Sequence, residues 1–193
     1  MKFKSQLQTI ILLFFSISIH AQSRNATNYG KIDSFLNYLF QNDQFMGSVA
    51  ININGSNVFD KAYGFSALSN RSFISADTET KYRIGSVSKS FTAVMIMQLQ
   101  EEKKLNINDK LSKYFKEIPN ADKISLKQML LHRSGLHNYT ENPYWSKIDT
   151  FVSEKEWLER LSKQSSDFEP GSKMEYSNTN YLLLGYIIEK VSQ

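Results

Sequence analysis

A strand-type pattern is confined to one short stretch of this chain of 193 residues. Residues 47–55 (GSVAINING) alternate Val or Ile with smaller or polar residues, which is the period of a β-strand. Asn54-Gly55 favours a tight turn, and the following NVFDKAYGF is typical of a returning strand. A lone hairpin is marginal in water and its free edge invites aggregation. Because the flanking segments have the helical period, we predict an α+β fold in which this hairpin belongs to an antiparallel sheet.

Helical periodicity marks most of the remaining chain. One apolar stripe follows Lys31, and a second helix is predicted from near Ser86 to about Lys104. That second helix is apolar around much of its surface, which favours a buried position. Residues 66–81 are polar and are predicted to be irregular. Shorter helices are predicted within 104–115, within 124–136 (capped by Ser125 and ended by Gly135), within 151–164 and from 179 onward.

The N-terminus has the pattern of a secretory signal peptide. Lys2 and Lys4 precede the apolar run IILLFFSISI, and a small residue, Ala21, ends the segment. A membrane anchor is the alternative, but spanning needs about 20 apolar residues and the run has about half that number. No cysteine follows, which excludes a lipid anchor. We therefore predict a signal peptide at 1–21, a disordered segment at 22–30, a single domain at 31–193, and export to the periplasm or the medium.

Composition excludes several kinds of partner. Without Lys2 and Lys4 the 23 basic side chains fall to 21, against 19 acidic ones, which is too weak a balance to indicate nucleic acid or an anionic membrane. The chain has no cysteine and three histidines, so a disulfide framework and a thiolate or histidine metal site are not expected. No cofactor is predicted, and the oligomeric state is left open.

Ser86 and Lys89 form a candidate nucleophile pair at the start of the second predicted helix. Side chains at i and i+3 of a helix lie on one face, and the positive end of the helix dipole favours a nascent alkoxide. A serine hydroxyl needs a partner that takes its proton, and a desolvated lysine can share or accept it. The alternative is an ordinary helix cap beside a solvated lysine, because Ser-x-x-Lys pairs arise by chance.

Tyr176 and Asn178, in the segment EYSN, form a second candidate pair. Residues i and i+2 of an extended backbone share a face. A tyrosine near a lysine ammonium has a lowered pKa and can act as a general base, while an amide can bind a carbonyl and an ammonium together. The alternative is that Tyr176 is a core aromatic residue and Asn178 caps the last helix.

Four segments, in this order, make the chain resemble the serine β-lactamase-related family, which includes class C β-lactamases, serine D-Ala-D-Ala carboxypeptidases and related esterases. FDKAYGF resembles a strand of that family and IGSVSKSFTA its Ser-x-x-Lys helix start. LLHRSGL resembles its Leu-Leu-x-His-Thr-Ser-Gly-Leu segment, with Arg133 in place of the threonine. FEPGSKMEYSNTNYLLLGYIIE resembles its Tyr-Ser-Asn segment. The order of the four is far more specific than any one alone.

The resemblance implies a β-lactamase/transpeptidase-like fold and a role for each candidate residue. Ser86 would form the acyl-enzyme, and its backbone N–H would be one donor of an oxyanion hole. Lys89 would relay the proton and Tyr176 would be the general base, while Asn178 would bind the amide of the substrate. The substrate would be a small molecule or a peptidoglycan peptide: a β-lactam, a D-Ala-D-Ala peptide or an ester. His132 would be a buried hydrogen-bonding residue without a catalytic role.

The family's third motif, Lys-Thr-Gly or His-x-Gly, does not occur after Asn178 in this sequence. The resemblance assigns to that strand the second oxyanion donor and one side of the substrate cleft. We therefore expect an N-terminal portion of a longer hydrolase, weakly active or inactive alone. The alternatives are a non-catalytic penicillin-binding-like or interaction protein, and a chain completed by a partner that supplies the missing strands.

Overall fold

The computed structural model describes residues 29–69, 72–142 and 151–192, which form two compact units divided between Tyr82 and Arg83. The predicted signal peptide and most of the predicted disordered segment lie outside these residues. Within the described ranges, no helix combines the length and apolar character needed to cross a membrane. A single domain over 31–193 stays a prediction, and each unit is described separately.

The first unit contains the predicted helix and hairpin. Helix α1 (Gly30–Gln41) begins one residue before the expected start. Strands β1 (Gly47–Ile53) and β2 (Ser56–Tyr63) pair antiparallel around a turn in which Asn54 and Gly55 both have positive φ, 51° and 78°. These angles match a type I′ turn, whose twist suits a two-residue hairpin. The hairpin prediction is confirmed.

Helix α1 is tied to the hairpin through Asp33. The Asp33 carboxylate accepts hydrogen bonds from Lys61 Nζ at 2.6 Å and from Tyr63 Oη at 2.8 Å. The hydrogen bond from Lys61, followed by that from Tyr63, lowers the pKa of Asp33. Burial, reinforced by the hydrogen bond to Asp33, raises the pKa of Tyr63 to about 12. The carboxylate and the phenol therefore keep their present protonation states across the neutral range.

A second antiparallel strand pair occupies the first part of the segment expected to be irregular at 66–81, and residues 76–81 are irregular as predicted. Strands β3 (Phe65–Ser69) and β4 (Ser72–Ser75) pair antiparallel. The rings of Phe65 and Phe73 lie 5.2 Å apart across this pair, and such aromatic contacts stabilise neighbouring strands. The expectation of irregular structure was therefore wrong for the two strands and correct for residues 76–81. The first hairpin and this strand pair form separate two-stranded sheets, so the sheet is incomplete over the described residues, as predicted.

The second unit is helical. A 3₁₀ turn (Gly85–Val87) leads into α2 (Ser88–Glu101), and α3 (Leu126–Leu130), α4 (Glu154–Ser162) and α5 (Asn178–Ser192) follow. Helix α2 packs on α5, and α3 also packs on α5. The centre of the core is formed by apolar side chains that are almost fully inaccessible to solvent: Ile96, Leu111, Phe115, Ile124, Leu126, Met129, Leu183, Leu184 and Ile187.

Helix α2 is shorter and more exposed than its composition predicts. It ends at Glu101 rather than near Lys104, and its buried residues are Ile96 and Leu99. Phe91 is 64% exposed and Val94 56% exposed. The prediction of a buried helix was wrong, because α2 packs against α5 along one face and leaves its other apolar side chains accessible. Periodicity describes the side chains of a helix and not the elements that cover them.

Helix α3 has the predicted cap but an earlier end. The Ser125 side chain accepts a hydrogen bond from the backbone of Gln128, whose own side chain accepts one from the Ser125 backbone, a capping box. The helix ends at Leu130 and not at Gly135. His132 follows with a φ of 53°, in the left-handed region, so the chain has already left the helical path three residues before the glycine.

Candidate active site

Four candidate side chains come from two helix starts in the second unit. Ser86 lies in the 3₁₀ turn and Lys89 in the first turn of α2. Tyr176 precedes α5, and Asn178 is its first residue. Gly85 has a φ of 52° and open space around the position of a Cβ, so its left-handed backbone places the serine at the turn.

The structure brings all four side chains within hydrogen-bonding distance. Ser86 Oγ lies 2.9 Å from Tyr176 Oη, and Lys89 Nζ donates to Ser86 Oγ at 3.1 Å. Lys89 Nζ also donates to Asn178 Oδ1 at 2.7 Å, and Tyr176 Oη lies 3.3 Å from the same oxygen. A nucleophile, a basic group and an orienting group in mutual contact are the geometric signature of an activated serine.

The donors and acceptors impose a direction on the serine proton. A lysine ammonium only donates, so Ser86 Oγ and Asn178 Oδ1 both act as acceptors toward Lys89. The Ser86 hydrogen remains available for Tyr176 Oη, and the Tyr176 hydrogen, when present, points at Asn178 Oδ1. The hydroxyl of Ser86 is thereby aligned to lose its proton to the tyrosine oxygen.

Tyr176 is an accessible residue, which contradicts its alternative assignment to the core: its side chain is 46% exposed. Its pKa is lowered, chiefly by hydrogen bonding with Lys89 and then by the hydrogen bond with Ser86. The Lys89 ammonium also lies 5.1 Å from the centre of the Tyr176 ring. A positive charge beside a phenol favours the phenolate, the form that accepts a proton.

His132 contacts the Tyr176 ring and the backbone beside it. Its imidazole stacks on the Tyr176 ring with centroids 4.5 Å apart, and its Nδ1 accepts a hydrogen bond from the Ser177 backbone at 3.2 Å. Desolvation and then the charge of Lys89 lower the pKa of His132. The ring is half-buried and neutral in this arrangement, with its hydrogen on Nε2. It has the hydrogen bond that the sequence led us to expect.

Arg133, which departs from the family pattern, forms hydrogen bonds with the turn before the EYSN segment. Its guanidinium donates to the carbonyl of Gly171, and the Gly171 N–H donates to the Arg133 carbonyl at 2.8 Å. Gly171 has a φ of 90°, which suits the Pro-Gly turn. The arginine is therefore a structural contact between the loop after α3 and the turn that leads to Tyr176.

Asn138 and Thr140, which were not identified from the sequence, accept hydrogen bonds from the side chain of Asn178. Asn178 Nδ2 donates to Asn138 Oδ1 at 3.2 Å and to Thr140 Oγ1 at 3.1 Å. The side chain of Asn178 does not cap α5, so the alternative assignment to a helix cap does not describe it. Its predicted contact with a substrate amide stays a prediction. The cluster of hydrogen-bonding side chains in HNYT was the available signal for Asn138 and Thr140.

The lowered pKa of His132 predicts a pH-dependent contribution to stability. The unfolded chain protonates this ring near the ordinary value of 6.5, and the folded chain only at lower pH. The contribution is therefore complete above about pH 6.5 and is lost as the pH falls through the folded pKa. His132→Asn, which tolerates the positive φ and does not titrate, should lose less thermal stability between pH 7 and pH 5. Parallel melting curves for the two chains would contradict this expectation.

No group of His, Cys, Asp or Glu suited to holding a metal ion occurs among residues 29–69, 72–142 and 151–192. The candidate site itself contains a hydroxyl, an ammonium, a phenol and an amide. One ammonium surrounded by hydroxyl, phenol and amide oxygens is suited to transferring a proton.

Comparison with known proteins gives a consistent set of relatives. Residues 41–193 match the Beta-lactamase family. The teichoic acid D-alanine hydrolase of Staphylococcus aureus (strain MRSA252) is 35% identical over 164 residues, which cover 85% of this chain and 38% of that protein. The chain thus spans well under half the length of the curated relative.

Solved structures of the family share the fold. A class C β-lactamase superposes with a TM-score of 0.72 at 26% identity, covering 90% of this chain and 47% of that one. The D-amino acid amidase of Ochrobactrum anthropi SV3 superposes with a TM-score of 0.70 at 25% identity, covering 84% and 46%. These likenesses confirm the predicted α+β fold of the β-lactamase/transpeptidase type, with part of its sheet.

Proposed function

The chain belongs to the Beta-lactamase family, and from this premise we propose that it is an exported serine hydrolase that acts through an acyl-enzyme on Ser86. The observation that carries the proposal is the position of Ser86 Oγ, 2.9 Å from Tyr176 Oη and 3.1 Å from Lys89 Nζ. An isolated helix cap needs neither contact. A serine that must lose its proton needs both a group to take it and a charge to stabilise the product.

The proposed first step is acylation. Ser86 Oγ attacks the carbonyl carbon of the substrate, and its proton passes to the oxygen of Tyr176, whose anionic form the Lys89 ammonium favours. The new Oγ–carbon bond forms as the bond from that carbon to the leaving oxygen or nitrogen breaks. The leaving group takes the proton from Tyr176. In the second step water gives a proton to the Tyr176 phenolate and attacks the acyl carbon. The Oγ–carbon bond breaks, Tyr176 returns the proton to Ser86 Oγ, and the acid is released.

The proposed substrates are small acyl compounds related to D-alanine: a β-lactam, a D-Ala-D-Ala peptide or an ester. The names of two relatives, a teichoic acid D-alanine hydrolase and a D-amino acid amidase, support an acyl group of the D-series. The candidate site has an exposed phenol at Tyr176 beside the partly buried ammonium of Lys89, which suits a polar ligand. We propose no cofactor, nucleic acid or membrane anchor.

A non-catalytic penicillin-binding role is the second candidate. The contacts of Ser86 with Tyr176 and Lys89 account for acylation, and a penicillin-binding role requires no further step. A site that acylates and does not release its product would bind a β-lactam covalently without turnover. Acylation alone therefore does not separate the two candidates, and the fate of the adduct does.

The test is covalent labelling of the purified chain by a fluorescent penicillin, followed by intact mass. The expected result is a gain equal to the whole probe, because opening a β-lactam ring releases no fragment. Decay of the adduct with release of the hydrolysed probe would favour the hydrolase, and a persistent adduct the penicillin-binding alternative. A folded chain that stays unlabelled would contradict the acyl-enzyme.

Two serine variants locate the label. Ser86→Ala is expected to abolish the adduct, because it removes the only hydroxyl proposed to attack. Ser90→Ala, four residues further along the chain in α2 and exposed, is expected to label like the native chain. Labelling that survives in Ser86→Ala would assign the reaction to another nucleophile.

A further inference from the structure

We infer that Asn138 is a positioning residue for this site, fixing the rotation of the Asn178 carboxamide so that its oxygen faces Lys89. The inference rests on the proposed function, because it assigns the residue a part in that reaction. The two ends of a carboxamide have nearly the same shape, so only its hydrogen-bond partners decide which end faces the lysine. A chain of hydrogen bonds with unambiguous direction runs from the backbone to the ammonium.

The first link fixes Asn138 itself. Its Oδ1 lies 3.0 Å from the backbone nitrogen of Asn178, which can only donate. Its Nδ2 lies 3.2 Å from a carboxylate oxygen of Glu141, which accepts. Both ends of the Asn138 amide therefore have partners of fixed polarity, and its carbonyl oxygen has to point toward α5.

The second link passes that orientation to Asn178. Asn138 Oδ1 accepts from Asn178 Nδ2 at 3.2 Å, and it also accepts from Thr140 Oγ1 at 3.0 Å. Because the Thr140 hydrogen is used in that bond, the Thr140 oxygen is left as an acceptor for the second hydrogen of Asn178 Nδ2, at 3.1 Å. Both hydrogens of the Asn178 amide are thus directed away from the lysine.

The third link reaches the reacting groups. With Nδ2 turned to Asn138 and Thr140, Asn178 Oδ1 faces Lys89 Nζ at 2.7 Å. Rotating the amide by half a turn would place two donors against an ammonium that only donates, and the lysine would lose its anchor. Lys89 would then be free to move away from Ser86 Oγ and Tyr176. Displacements of about 1 Å in such positioning cost on the order of 100-fold in rate.

Asn138 also has a structural role, because its Oδ1 accepts a hydrogen bond from the first backbone N–H of α5. Any substitution there can lower stability without touching the chemistry. The test therefore needs a readout that responds only if Asn138 acts through Asn178. A comparison of the same substitution in two backgrounds gives that readout.

The kinetic test is a cycle of Asn138→Ala and Asn178→Ala, measured as the rate of Ser86 labelling by the fluorescent penicillin in the folded fraction. Asn138→Ala alone is expected to slow labelling roughly 10- to 100-fold. In the Asn178→Ala background the same change should have almost no further effect. Asn138→Asp combined with Glu141→Gln keeps the acceptor, gives its second oxygen an amide donor and leaves the charge of the pair unchanged, so it should recover most of the rate. Asn108→Ala, at an exposed position outside the site, is the control.

A second test, by NMR, measures the effect of Asn138 on Tyr176 and does not require the chain to react with the penicillin. The Tyr176 phenol, labelled at its Cζ with ¹³C and assigned with Tyr176→Phe, is titrated by NMR. Displacement of Lys89 in Asn138→Ala should raise the pKa of Tyr176 toward its ordinary value, and Asn138→Asp combined with Glu141→Gln, which adds no net charge, should leave it near that of the native chain.

The outcomes separate the two proposals. Equal losses from Asn138→Ala in both backgrounds, or an unchanged Tyr176 titration, would overturn the positioning role even if Ser86 is acylated. A chain that is not acylated but whose Tyr176 titration shifts in Asn138→Ala would retain the positioning role and lose the proposed function. Agreement of rate and titration would support both.

Discussion

Replacing Lys89 by methionine is expected to slow the acylation of Ser86 by about 10²- to 10⁴-fold, the usual range for loss of a group that assists proton transfer. Methionine is similar in length, so the loss is mainly that of the ammonium. Two contacts disappear together: the 3.1 Å bond to Ser86 Oγ and the 2.7 Å bond to Asn178 Oδ1. The pKa of Tyr176 should rise as well, because Lys89 is the largest cause of its lowering. The measurement is the rate of labelling by the fluorescent penicillin.

Two further variants make the result specific. Lys127→Met removes an exposed ammonium from α3 and should label at the native rate. Lys89→Arg keeps the charge but spreads it over a larger planar group, which does not reproduce the bonds of a single nitrogen to Ser86 Oγ and Asn178 Oδ1, so it should restore little of the rate. Native labelling in Lys89→Met would remove the lysine from the proposed mechanism and return it to an ordinary structural role.

The contact between Ser86 and Lys89 could be predicted from the sequence, and the contact between Ser86 and Tyr176 could not. Ser86 and Lys89 are three residues apart on one helix start, so their contact follows from helical geometry. Tyr176 is 90 residues from Ser86, and no periodicity predicts that contact. Only the resemblance to a family paired the two motifs. The structure brings them together, and their catalytic roles stay proposals.

The same difference between local and distant contacts explains which features of the fold were predicted correctly. The turn at Asn54-Gly55 and the capping box at Ser125 depend on a few neighbouring residues, and both were found. The exposure of α2 depends on what packs against it, which the side chains of that helix do not encode. Asn138 was missed because it lies in a loop, where its partners are selected by the packing of α5 and not by a repeating pattern.

Replacing Gly135 by alanine is expected to lower the free energy of unfolding by roughly 2–5 kcal/mol, the sum of a strained backbone and an overfilled core. Gly135 is buried and has a φ of 79°, and an added Cβ would lie 2.1 Å from the carbonyl oxygen of Phe168. Backbone atoms cannot swing aside as a side-chain tip can. The Asp167 N–H donates to the Gly135 carbonyl at 2.9 Å, so the two segments are also joined by a hydrogen bond.

A second glycine in the same unit provides the matched control. Gly185 lies within α5, and an added Cβ there would meet no atom within 4 Å. Gly185→Ala should therefore stabilise the chain by about 0.5–1 kcal/mol, because alanine loses less backbone entropy in a helix. Chemical denaturation of both variants measures the difference. Equal effects of the two changes would contradict the close approach at Gly135. Opposite signs would support the close approach of Gly135 to the Phe168 carbonyl, because a glycine with open space around it gains from a Cβ and a glycine against backbone loses.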